Sequence, residues 1–171
     1  MGISIGKRVY DALNKQITEE LASSYLYIAM SSVLKDMGLN GCASWTMLQS
    51  EERRRRALKI FGHMQERSSK IKWLPIPAPK QEWRAPLHIF EEIQRNEQKT
   101  TSQINGICEF ANLEKDHETY CFLTSFINQQ IKEEAKISDL LNRFRKMQSS
   151  DLGVLIFDSE IEKKVKDVHF E

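Results

Sequence analysis

The chain has 171 residues, 29% of them charged and 40% hydrophobic, with a formal net charge of +1: one ordinary globular domain, of which roughly 70% of the unfolded surface is buried on folding without help from disulfides or a structural metal. Balanced charge argues against a general nucleic-acid binder, whose phosphate contacts require a basic excess. No run of about 18 apolar residues is present and the N-terminus lacks the order of a signal peptide, so a soluble, cytoplasmic protein without a membrane partner is expected.

Breakers are few, with 7 Gly and 4 Pro, and their uneven placement locates the joints. Residues 5–36 read as a first helix, stopped by Asp36-Met37-Gly38. Residues 42–68 read as a second, ending in Ser68-Ser69. Pro75, Pro77 and Pro79 then forbid helix across 71–84 and favour an extended crossover. Pro86 stands where a proline at the first helical position is expected, and a third helix runs to about Leu113. After a turn through Lys115-Asp116 a fourth ends near Met147. Ser149-Ser150-Asp151 offers an N-cap for a short fifth helix over about 151–163. Two short turns and one long central crossover describe an all-α four-helix bundle over 5–147, with helices one and two, and three and four, as antiparallel pairs. Each helix would be about 40–48 Å long, and long bundles of this kind enclose a site or build an assembly.

Polar residues inside the apolar stripe of an amphipathic helix carry the information. Helix one reads Leu13, Ile17, Glu20, Ser24, Tyr27, Ser31, Leu34; helix three reads Phe90, Ile93, Glu97, Thr101, Ile104; helix four reads Phe126, Ile127, Gln130, Glu133, Ile137. On helix two, Glu51 and Glu52 can each be drawn onto a stripe with Leu48, Leu58 and Phe61, and periodicity does not choose between them. Carboxylates converging from four helices need compensation, because a buried unpaired charge costs several kcal/mol. A dinuclear iron site is the usual solution, with a Glu from two helices and Glu-x-x-His from one or both of the others. The three cysteines, Cys42, Cys108 and Cys121, lack metal-ligand spacing and read as small apolar residues. His63, His88, His117 and His169 have no partner at helical spacing and read as surface or capping residues.

Local strings over about residues 8–160 resemble the non-haem ferritins of bacterial type. Leu13-Asn14-Lys15-Gln16 with Glu20-Leu21 and Ser23-Ser24-x-Leu26-Tyr27 is similar to the first ferritin helix, Gln49-Ser50-Glu51-Glu52 to the second, Glu97-Gln98 to the third, and Gln129-Gln130-Ile131-Lys132-Glu133-Glu134 to the fourth. The resemblance implies Glu20, Glu52, Glu97, Gln130 and Glu133 as iron ligands, with Glu52 bridging and Tyr27 hydrogen-bonding a ligand carboxylate. It also implies a short fifth helix at a fourfold axis of a 24-subunit cage, and iron as the metal, with no haem selected by any of the 6 methionines.

Three positions depart from the family pattern. Where the family carries Glu-x-x-His this chain has Glu52-Arg53-Arg54-Arg55, so Arg55 stands for the ligand histidine. An arginine offers donors only, and pointed inward it would neutralise the glutamates as iron does. Ser125 replaces a Trp frequent beside the site, and Lys132 a Glu of a third iron site. Two functions are therefore expected to compete. One is a cage subunit that oxidises Fe(II) with O2 at the paired carboxylates. The other is a non-catalytic structural or mineral-nucleating cage subunit, co-assembling with an active paralogue, whose carboxylates Arg55 has closed. Nucleic-acid binding through the arginine run and Lys163-Lys164 is a remote third, opposed by the net charge.

Overall fold

The structure is a computed structural model and describes residues 5–168. Five helices follow in order: α1 (Lys7–Asp36), α2 (Asn40–Glu66), α3 (Pro86–Leu113), α4 (His117–Met147) and α5 (Asp151–Val168). Among the described residues there is no strand, and no helix is long and apolar enough to cross a membrane. Helices α1 and α2 pack as one pair and α3 and α4 as the other, α1 also meets α3, and α5 lies against α2 and α4. This is the expected all-α bundle with its long crossover.

Helix ends follow local chemistry where the sequence supplies it. Gly38, at φ 78°, closes α1 while Leu39 N–H donates to the Leu34 carbonyl (2.9 Å), a left-handed C-terminal cap. Ser68 and Lys115 close α2 and α3 in the same manner, at φ 55° and 56°. Asp116 caps α4 by accepting from Thr119 N–H at 3.0 Å.

Elsewhere the caps come from distant sequence. Helix α2 begins at Asn40, before the expected residue 42, because the Asp158 carboxylate of α5 accepts the N–H groups of Gly41 (3.1 Å) and Cys42 (2.7 Å). A Cβ on Gly41 would stand 2.1 Å from the Asp158 carbonyl oxygen, so glycine lets the two helices meet. Glu114 likewise accepts from Arg8 N–H (3.1 Å) at the start of α1. Helix α5 runs to Val168 rather than 163, anchored by Phe157 on Phe90 and Phe144 (centroids 6.0 and 5.1 Å) and by the buried Ile161 and Val165. His169 lies outside the described residues.

The apolar core is in two pieces. One contains Tyr27, Met30, Leu34, Trp45, Phe90, Ile137, Phe144 and Phe157. The other contains Val9, Leu13, Ile17, Ile60, Met64, Ile104, Leu123 and Phe126. On each bundle helix the gap between the pieces is filled by buried polar side chains: Glu20 and Ser24 on α1, Ser50, Arg53 and Arg56 on α2, Glu97 and Thr100 on α3, and Gln130 on α4. A polar layer thus crosses the bundle between two apolar halves.

Candidate functional site

The layer is an ion-pair cluster. Arg53 donates through Nη1 to Glu20 Oε2 (3.0 Å) and to Thr100 Oγ1 (3.1 Å), and pairs through Nη2 with Glu97. One guanidinium therefore joins the carboxylates of α1 and α3. Arg56 places Nη2 3.3 Å from Glu20 Oε1 and donates through Nη1 to the Gln130 carbonyl. Gln16 donates to Glu20 Oε1 (3.0 Å), and Tyr27 OH to Glu97 Oε1 (2.9 Å). Asn96 supports Tyr27 from α3, donating to its hydroxyl at 2.9 Å, and Gln130 donates to the Glu97 carbonyl at 3.0 Å. Each cation also lies over one ring, Arg53 over Tyr27 (5.8 Å) and Arg56 over Phe126 (5.3 Å).

All five central groups are enclosed, with Arg53 and Arg56 at 3% and 2% exposure and Glu20, Glu97 and Gln130 at 4% or less. Burial works against the charge of Arg53, yet Tyr27, Glu20 and Glu97 around it hold its pKa well above the ordinary value. Burial lowers that of Arg56, and the Glu20 charge only partly offsets it. Burial pushes the Tyr27 hydroxyl up, so that it stays a donor to Glu97.

Of the residues expected to share one site, the fold brings together Glu20, Tyr27, Glu97 and Gln130. Glu133 sits at the edge, turned to Lys136, which donates to both of its oxygens (3.0 and 3.2 Å). Glu52 and Arg55 are not in the site. They pair with each other outside the buried layer, lining a surface pocket with Glu133 and Lys136, where the Arg55 side chain is 60% exposed and also lies 3.9 Å from Glu51. The expected inward course of Arg55 is thus corrected: the cations that enter the site are Arg53 and Arg56.

The reason is helical phase. From Thr46 onward the buried residues of α2 are Thr46, Ser50, Arg53, Arg56, Ala57, Ile60 and Met64, and apart from the adjacent pair Arg56 and Ala57 they recur at spacings of three and four. Glu52 and Arg55 lie about 100° of rotation away from Arg53 and Arg56. The stripe through Leu48, Leu58 and Phe61 misleads because Leu58 is an exposed apolar residue and the other two are only partly buried. Counting back by three and four from Ile60 and Met64 would have selected both arginines.

Ser125 and Lys132, the other two departures, are exposed on α4. His63 is half-buried, stacked on Phe122 (4.2 Å between centroids) with Nε2 2.9 Å from the Thr119 hydroxyl, a packing and capping role. Cys42 and Cys108 are buried and Cys121 exposed, all as free thiols.

A pair of metal ions requires carboxylate oxygens with free lone pairs facing a common space. Here Glu20 Oε2 accepts from Arg53, and Glu20 Oε1 and Glu97 Oε1 each lie within ion-pair distance of a guanidinium group. Among the described residues no group of three His, Cys, Asp or Glu side chains is placed to hold a metal ion. The donor set does not fit a dinuclear iron centre.

A bundle of two antiparallel helix pairs, one long crossover, a short terminal helix and a polar layer between two apolar halves defines a ferritin-like protein. The family profile described as ferritin-like domain matches residues 10–147, and the chain belongs to that family. It is 33% identical to the bacterial non-heme ferritin of Staphylococcus saprophyticus over 142 residues, covering 81% of this chain and 85% of that one. It is 29% identical to that of Bacteroides fragilis over 157 residues, covering 92% and 98%. Its fold is similar to that of an open-pore ferritin from the archaeon Archaeoglobus fulgidus, with a TM-score of 0.90 at 34% identity over 92% of this chain and 96% of the other.

Proposed function

We propose that the chain is a cytoplasmic subunit of a ferritin-type cage that stores iron, and that its bundle does not oxidise Fe(II). Membership of the family supports storage, and one observation carries the rest: Arg53 spans Glu20 and Glu97, the two carboxylates between which a metal would have to lie. Fe(II) oxidation needs open carboxylates to bind and orient the metal and to stabilise the ferric product. This chain's carboxylates are instead held by fixed cations that cannot shed their protons.

Assembly into a 24-subunit shell is part of the proposal. Tyr25, Ile28, Met47, Leu58 and Trp73, and Leu152, Leu155 and Ile156 on α5, are exposed in the single chain, and further copies would cover them. A catalytic paralogue in the same shell would supply the missing oxidation.

Aerobic Fe(II) oxidation at about two irons per subunit, followed optically, tests the reading. The parent is expected to match protein-free buffer, as is Arg55→His, because residue 55 faces outward. Arg53→Glu combined with Arg56→His places Glu-x-x-His on the buried face and is the variant expected to gain activity. Prompt oxidation by the parent would refute the non-catalytic form.

A further inference from the structure

Resting on the storage reading, we infer that this shell consumes iron oxidised elsewhere, because Arg53 and Arg56 stand where metal ions would and close the bundle to any divalent cation. Each of the four glutamates expected to be a ligand is paired to a cation of this chain. Glu20 and Glu97 are held by Arg53 and Arg56, Glu52 by Arg55, and Glu133 by Lys136. Two buried carboxylates face two buried guanidinium groups, so the centre is neutral and offers a divalent ion no net attraction.

The balance of donors and acceptors leads to the same conclusion. Arg56 Nε is enclosed and has no acceptor among the described residues. A site with an unanswered N–H needs lone pairs, and a metal ion also needs lone pairs. Entry of a divalent ion would strip Arg53 from Glu20, Glu97 and Thr100 and leave two buried cations beside a third. Arginine cannot relieve that repulsion by losing a proton.

A ferric deposit then needs a preceding reaction of the ferroxidase class. Four Fe(II) give up one electron each, and one O2 takes up the four electrons with four protons and leaves as two waters. The site of that transfer is a metal centre in another chain or a separate oxidase. This bundle's part is to hold its shape without metal.

Equilibrium dialysis of the assembled protein against Co(II), with the visible Co(II) absorption as readout, tests the closure. The parent is expected to take up no Co(II) that Glu97→Gln removes, whereas Arg53→Glu/Arg56→His gains a bound ion that Glu97→Gln abolishes. Uptake by the parent that is lost in Glu97→Gln overturns the inference, and this comparison decides by itself should the double variant not fold. A second arm supplies Fe(II) and O2 with and without a multicopper ferroxidase, and measures iron that elutes with the shell. Retention only with the oxidase is the expected result. Retention at equal rates without it defeats the inference and leaves storage standing, whereas no retention in either arm defeats the storage reading and leaves the closure to the Co(II) result.

Discussion

Asp158 on α5 and Gly41 on α2 lie 117 residues apart, yet the carboxylate of the first accepts the backbone N–H of the second at 3.1 Å. Together with the bond to Cys42 this answers two of the N–H groups that an α-helix start leaves open, from a side chain of another helix. Asp158→Ala is expected to cost about 1–2 kcal/mol in denaturant unfolding, the range of a lost N-terminal cap. Gly41→Ala should cost more, since its Cβ would press on Asp158 backbone rather than on a flexible side chain. A Gly41→Ala protein as stable as the parent would show that α5 does not dock as described.

Removing the central cation exposes the logic of the cluster. Arg53→Met leaves Glu20 and Glu97 buried with one bridging partner gone, a loss of about 3–5 kcal/mol. The neutralised triple variant Glu20→Gln/Arg53→Met/Glu97→Gln should recover most of that. Urea unfolding of the single and triple variants measures the difference, and equal losses in both would mean that packing, not charge, sets the cost.

The four arginines divide by helical phase. Arg55→Ala removes an exposed pair and should shift stability by less than about 1 kcal/mol. Arg56→Ala removes a residue that is 2% exposed and opens a hole beside Phe126 and Gln130, and it should be markedly worse. The ranking of these two melting temperatures checks the orientation of α2 directly.

At the start of α4, burial alone would raise the pKa of Asp116, but Thr119 N–H and hydroxyl and the Arg67 guanidinium outweigh it and hold it below the ordinary 3.8. A carboxyl lowered on folding contributes stability that is present above its unfolded pKa and lost as pH falls through the folded one. Asp116→Asn should therefore be less stable than the parent at neutral pH and converge on it below pH 3.8. A constant difference across an acid titration of the melting temperature would assign the loss to packing.

Much of the fold was legible in the chain because its signals are local. Pro86 opens α3, Gly38 ends α1, and the prolines between 75 and 79 enforce the crossover. Each acts through its own backbone, so no knowledge of the partner helix is needed. The carboxylates Glu20 and Glu97 were legible as well, because an ionisable residue inside a clear apolar stripe stands out.

Helix α2 is different, since charged residues occupy every position from 51 to 56 and exposed Leu58 imitates a core residue. Rotation of that helix is fixed by what α1 and α3 present to it, namely Glu20 and Thr100, and these select Arg53 over its neighbours. The helices, most of their joints and the carboxylates Glu20 and Glu97 follow from local pattern in the chain. Which arginines join them, and where α2 and α5 meet, depends on contacts between residues with no local relation in the chain.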